Sequence, residues 1–387
     1  MRKRSALKIM QHRFANFSSK VLQKLEAEEL KIYNKLNSKD KRKLNPINKR
    51  KLNFPKDLYP IRNAPLEWWY FTGHLENKKD KKKLGYEFCI FKFHPQPLRF
   101  GPLPFSILHK KPFLVFHFAV TDKKNKTFRS LQDSGIFHKE SISYDGLDLH
   151  LDHSSMKLDK FFILDTKNDI ASLNLKLKPL KKMVKHFDHG FSVMIPKSEH
   201  RTYYLTFSRL ATSGKIKIGK KEYSVSGVSW FDHQKMTVPH RSNLLGWDWF
   251  SIILDDDTEL MLYILRTKKG KRYVAGTYID KNSKTKNIYP RNLKIEKISS
   301  WKSPNSGITY PSGWKLKIAK LSISLKITPS IKNQEIYKFR SAPVSYWEGA
   351  CEVKGLKSGR KISGQSYVEL VGYDKRLRWR LIKSWFE

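Results

Sequence analysis

From about Pro55 onward, apolar and polar residues alternate in short runs separated by turn residues, the period-two pattern of strands with one buried face. In Leu321-Ser322-Ile323-Ser324-Leu325-Lys326-Ile327, Leu and Ile alternate strictly with Ser and Lys, which predicts a half-buried strand. Leu114-Val115-Phe116-His117-Phe118-Ala119-Val120 puts its largest apolar residues on one parity. Residues 251–254 and 259–265 read as a hairpin around Asp255-Asp256-Asp257-Thr258, where Asp tolerates left-handed backbone. Such units recur to the C-terminus with no Gly-rich phosphate loop and no alternation of strands with helices. The pattern predicts an all-β, antiparallel barrel or sandwich and argues against a nucleotide-binding α/β fold.

Before Pro55 the pattern changes. Leu7, Met10, Phe14, Phe17, Val21, Leu22, Leu25, Leu30 and Ile32 recur among charges at a loose helical spacing, which predicts one or two amphipathic helices. Residues 38–56, rich in Lys, Asn and Pro without periodicity, read as a linker. A chain of 387 residues exceeds the usual size of one core, and a break falls near Val238-Pro239-His240-Arg241-Ser242-Asn243. The expected domains are a basic N-terminal extension, helical or disordered, over residues 1–55, a first barrel over 56–238 and a second over 239–387.

Charge changes this picture only at the N-terminus. The net charge is +42, which in a localised patch would point to nucleic acid or an anionic membrane. Residues 1–56 carry about +13, while the remaining excess is scattered over separate clusters such as Lys78 to Lys83 and Lys268 to Arg272. A general Lys-rich bias explains the scatter better than a nucleic-acid stripe, and the N-terminus leaves an anionic membrane surface as an expected partner. Cys89 and Cys351 read as buried thiols rather than a disulfide framework. Met1-Arg2-Lys3-Arg4 is followed by no uninterrupted apolar stretch, and no run of about 18 apolar residues occurs. The expectation is a cytoplasmic protein, at most associated with a membrane.

Three segments set ionisable residues among rings: Glu67-Trp68-Trp69-Tyr70-Phe71, Ser229-Trp230-Phe231-Asp232-His233-Gln234, and Gly246-Trp247-Asp248-Trp249-Phe250. A carboxyl among aromatics is partly desolvated, which raises its pKa and favours a proton-donating form. Each segment also fits a purely structural role, with the rings filling a core and the acid bound by backbone amides or by Arg209 or Arg266. Asp232 and His233 form the best catalytic pair, yet neighbours on a regular strand point to opposite faces and cooperate only across a bend or bulge. Glu348 and Glu369 either line a pocket or pair with a cation on a neighbouring strand. His150 and His153 have a metal-like spacing without an accompanying ligand set, so no metal site is assigned. The absence of a Gly-x-Ser-x-Gly motif weakens a serine-hydrolase reading.

With these residues in place the sequence resembles the AttH-like family, which includes hydroxyneurosporene synthase, kievitone-hydratase-like proteins and proteins labelled secreted hydrolases. The resemblance runs from about Ala64 to Tyr373 and rests on motifs in order: Glu67-Trp68-Trp69-Tyr70, His117 to Asp122, Ser208-Arg209-Leu210, Trp230-Phe231-Asp232-His233, Gly246 to Phe250, Glu259 to Tyr263, Trp301 to Gly307 with Tyr310-Pro311, Gln334-Glu335, Tyr346 to Ala350, and Tyr367 to Leu370 with Gly372-Tyr373. It implies two fused lipocalin-like barrels, a large hydrophobic cavity near their junction, and neither metal nor organic cofactor. After Asp232-His233 the family continues with an acid and a tryptophan, where this chain has Gln234-Lys235.

The expected function is binding of an isoprenoid, polyene or other lipid-like ligand, with hydration of an alkene as its reaction. Protonating a double bond needs an acid, ring faces to stabilise the cation, and controlled water. Asp232 is the expected acid, with His233 or Glu67 to orient water or return the proton. Trp68, Trp69, Tyr70, Trp230, Trp247, Asp248, Trp249, Tyr263, Glu348 and Glu369 are the expected ligand-binding set, converging on one cavity. The alternative is a non-catalytic carrier using the same aromatics as its lining.

Overall fold

The computed structural model describes residues 47–374, except 101–102, 105, 107–108, 137, 239–242 and 338–344. The expected N-terminal helices and most of the break between the domains lie outside the described residues. Among those described, the chain is nearly all strand, in two curled antiparallel half-barrel sheets of 13 and 10 strands with a lipocalin-like form. Strands of the first sheet run from Leu66 to Met236, and those of the second from Leu244 to Leu370.

Both sheets repeat one strand order. In the first, the opening strand Leu66–Asn77 is flanked by Lys82–Phe93 on one side and by the closing strand Lys221–Met236 on the other. In the second, Leu244–Leu254 opens the sheet between Glu259–Thr267 and the closing strand Arg360–Leu370. Outward from each closing strand follow further antiparallel neighbours, Arg201–Ile218 then Ser172–Pro179 in the first and Tyr346–Lys357 then Ile323–Pro329 in the second.

Local chemistry accounts for these elements. In Ile323–Pro329 the residues Ile323, Leu325 and Ile327 are buried while Ser324, Lys326 and Thr328 are exposed, as the alternation predicts. The turn after Leu254 carries Asp257 at φ 59°, the left-handed residue expected of that acidic tetrapeptide. Each half-barrel has its own apolar core, one around Trp69, Phe71, Phe88, Phe116 and Phe231, the other around Phe250, Leu262, Trp314, Trp347 and Val368. A third cluster lies between them and includes Tyr70, Cys89, Tyr204, Trp230, Trp249, Ala350 and Tyr367. The first opening strand and the C-terminal halves of the closing strands are therefore covered on both faces, which is why ten of the twelve residues of Leu66–Asn77 are buried. At Gly85 the sheets approach so closely that a Cβ would lie 2.7 Å from the Tyr367 hydroxyl and 2.8 Å from the Ala350 Cβ.

Residues 47–55, read from the sequence as the end of an appendage, instead pack on the first half-barrel. Ile47 is buried, Leu52 and Phe54 rest on its core, and Tyr203 donates to the Asn48 carbonyl at 3.0 Å. Both cysteines are buried thiols. Among the described residues no helix is long and apolar enough to cross a membrane.

Candidate functional site

Between the half-barrels lies a cavity of about 130 Å³, walled by Trp68, Tyr70, Phe91, Trp247, Trp249 and Tyr263 among other apolar residues. That size compares with an engineered cavity of about 150 Å³ that accepts benzene. Two carboxyl groups face it, Asp232 from the first closing strand and Glu369 from the second. Their positions correspond in the repeated topology: Asp232 sits opposite Tyr70 on the first opening strand, and Glu369 sits opposite Trp249 on the second.

Asp232 is fully enclosed by donors. Its Oδ2 accepts from the Tyr204 hydroxyl at 2.5 Å, and its Oδ1 accepts from the Trp230 indole at 2.8 Å and from the Thr206 hydroxyl. Burial pushes its pKa up, the three donors pull it back, and the balance falls at about 7. Both protonation states are thus populated near neutrality, the condition for a group that must give and take a proton. Tyr204 in turn accepts from the Trp249 indole at 2.7 Å, so the second half-barrel helps hold the acid of the first.

A second chain of hydrogen bonds reaches Asp232 through a histidine. His186 Nε2 lies 2.7 Å from Thr206 Oγ1, and His186 Nδ1 lies 2.9 Å from Thr277 Oγ1 on the second sheet. Thr206 spends its only proton on Asp232, so it accepts from Nε2–H, and Nδ1 then accepts from Thr277. Burial lowers the pKa of His186 to about 3, which keeps the ring neutral in this arrangement.

Glu369 accepts from the Trp247 indole at 2.7 Å, and burial together with the nearby Asp232 raises its pKa to about 7. Behind it, Glu348 is its cross-strand partner and accepts from the cavity-lining Tyr70 hydroxyl at 2.8 Å. Glu87 accepts from the Tyr346 hydroxyl at 3.1 Å, and that hydroxyl also lies 2.7 Å from His117 Nδ1. Burial pushes both glutamates up, Glu348 further through the nearness of Glu87 and Glu369. Folding therefore takes up a proton at Glu369 between pH 4.5 and about 7, and the stability this group contributes falls as pH rises through that window. Relative to the parent, Glu369→Gln should gain up to about 3 kcal/mol across it. Urea unfolding at both pH values measures this, and a pH-independent difference would contradict the assignment.

The structure divides the sequence candidates. Trp68, Tyr70, Trp247, Trp249, Tyr263, Asp232 and Glu369 line the cavity, while Trp230 and Glu348 bond to residues that do. Glu67, Trp69, His233 and Asp248 do not converge there, because each occupies the opposite strand face. Glu67 accepts from the Ile61 amide at 3.0 Å and pairs with the buried Lys92 at 3.4 Å. His233 stacks on Trp69 with ring centroids 4.7 Å apart, and its Nδ1 lies 2.9 Å from the Trp68 carbonyl. Neither His233 nor Glu67 is placed to orient water for Asp232. Asp248 pairs with Arg266 at 3.2 Å and accepts from Tyr373 at 2.9 Å, a structural role in the second half-barrel. Gln234 lines the cavity and donates to Thr202 at 2.8 Å, whereas Lys235 turns away toward Asp57 and Glu67. His150 and His153 are exposed beside Asp148 and Asp152. Nearby, Asp133, His138 and Asp152 form a group close enough for shared ligation, with His138 Nε2 3.1 Å from Asp133. Sequence reasoning missed Glu87, His186, Tyr204 and Thr206; Glu87 alone left a signal, an acid inside the apolar run Tyr86-Glu87-Phe88-Cys89-Ile90.

The structure thus joins a paired lipocalin-like fold to an aromatic cavity at the junction of its half-barrels. The profile of the AttH-like family matches residues 45–373, and the chain belongs to that family. An AttH protein of Nitrosomonas europaea is similar in structure, with a TM-score of 0.72 and 25% identity over 84% of this chain and 97% of that one. Kievitone hydratase of Nectria haematococca shares the fold, with a TM-score of 0.65 and 14% identity over 84% of this chain and 93% of its own. So does CghA, with a TM-score of 0.53 and 10% identity over 83% and 93%. No curated protein sequence matches the chain.

Proposed function

We propose that the protein adds water to a carbon–carbon double bond of an apolar ligand held between its half-barrels, with Asp232 as the acid. The observation that carries this reading is a buried carboxyl poised near neutrality on the wall of an aromatic cavity. Asp232 gives its proton to one alkene carbon, the π electrons forming the new C–H bond and leaving a carbocation on the other carbon. Ring faces of Trp68, Tyr70, Trp247 and Trp249 stabilise that charge. Water then forms the C–O bond, and the proton it loses returns to the Asp232 carboxylate while Glu369 accepts a hydrogen bond from the water. Glu369 thus takes the part expected of His233 or Glu67. Fold likeness to a protein named as a hydratase supports the reading.

The test is mass spectrometry of apolar molecules that co-purify with the protein from its host, followed by incubation in heavy-oxygen water. An alkene-bearing ligand that gains one labelled oxygen is expected. A bound ligand that never gains oxygen would leave a carrier in place of the enzyme.

The basic N-terminus supports a further part of this reading, attachment to anionic lipid at about 1 kcal/mol per basic residue near the surface. Deleting residues 1–46 should abolish binding to anionic vesicles without altering the circular dichroism of the sheets. Equal vesicle binding by both proteins would assign the attachment elsewhere.

A further inference from the structure

The junction is acidic in a protein whose net charge is +42. The buried Asp232, Glu348 and Glu87 meet there with the half-buried, cavity-facing Glu369, and among the described residues none of the four pairs with a Lys or Arg. Among the described residues no Lys, Arg or His lines the cavity. The groups that face these acids from the surrounding strands are Tyr70, Cys89, Tyr204, Tyr346 and Tyr367 with the neutral His117 and His186. Glu87 Oε2 and Glu348 Oε2 are buried without a hydrogen-bond partner. Several other buried acids in the same chain are matched to cations, Glu67 to Lys92, Glu259 to Lys181 and Arg209, and Asp248 to Arg266. Glu335, buried in the second half-barrel, likewise has no Lys or Arg partner but is bonded by Ser303, Ser306 and Tyr310, so what sets the junction apart among the described residues is the gathering of four such acids.

Aromatic faces present negative quadrupole to whatever occupies the cavity, and carboxylates behind them add full charge at low dielectric. We propose that this cavity selects apolar ligands that carry a positive charge, with a hydrophobic ammonium as the stable form, and that Asp232 and Glu369 on its wall supply the counter-charge. The proposal rests on the cavity being the ligand site and names the class of ligand it holds. It also connects to the proposed reaction, because a bound ammonium copies the charge of a carbocation. A cation stabilises the ionised acids, so its binding releases protons and tightens as pH rises through the range where Asp232 and Glu369 titrate, about 7 for each.

The probes are benzyltrimethylammonium and its uncharged carbon isostere neopentylbenzene, titrated into the full-length protein by calorimetry. The ammonium is expected to bind on the order of tenfold more tightly at pH 8 than the isostere, a preference consistent with desolvated cation–π and ion contacts. That preference should shrink at pH 5.5 and in both Asp232→Asn and Glu369→Gln, with proton release seen in buffers of different ionisation enthalpy. Equal affinity for the two probes, or an ammonium affinity independent of pH, would overturn the charge assignment while leaving the apolar ligand site. Failure of both probes to bind would overturn both.

Discussion

Asp232→Asn is expected to lower the hydration rate of the bound ligand by about 10²- to 10⁴-fold, the range for loss of a positioned general acid. The amide is nearly the same size and its carbonyl oxygen can still accept from Thr206 and Trp230, so packing should hold. The pH profile of the parent should show the titration of a group near pH 7, where the acid begins to be lost as the carboxyl ionises. The measurement is label uptake from heavy-oxygen water by parent and variant at equal ligand occupancy. A variant that keeps the parent rate would remove Asp232 from the mechanism, and the junction would then be read as a carrier site.

Glu67→Gln should cost about 3–5 kcal/mol of stability, the penalty for removing one partner of a buried ion pair. Glu67 and Lys92 are both fully buried, and Lys235, 2% exposed, lies 3.8 Å from Asp57 in the same network. Neutralising Glu67 leaves two enclosed lysines facing Asp57 and the half-exposed Arg50. The double variant Glu67→Gln/Lys92→Met should recover much of the loss, because the stranded cation is gone and its methylene volume is retained. Urea unfolding of the full chain, followed by tryptophan fluorescence, checks both. A single-variant loss below about 1 kcal/mol would show that the network is hydrated rather than dry. Binding of the ammonium probe should be unchanged, since Glu67 faces the first core rather than the cavity.

Period-two alternation is a local property, so it was readable without the fold. It placed the strand over Ile323 to Ile327, the hairpin after Leu254 and the two buried thiols where the structure has them, while Leu321 and Ser322, read into the same strand, form a turn before it, with Ser322 left-handed at φ 50°. The ring-and-acid segments were also visible, because desolvation of a carboxyl among neighbouring aromatics is set by composition over a few residues. Which of two faces each acid uses was not readable. Alternation separates inside from outside only where one face is wet, and the segments that carry Glu67, Asp232 and Glu369 have none, with their own core on one side and the partner sheet on the other. That is why Glu67 and Asp232, alike in sequence context, end in an ion network and a cavity respectively. Pairing order decided the rest: only the return of each closing strand to its opening strand puts Asp232 opposite Tyr70 and Glu369 opposite Trp249. His186 and Glu87 reach the junction through contacts spanning 91 and 259 positions, to Thr277 and Tyr346, and no local pattern carries contacts of that range.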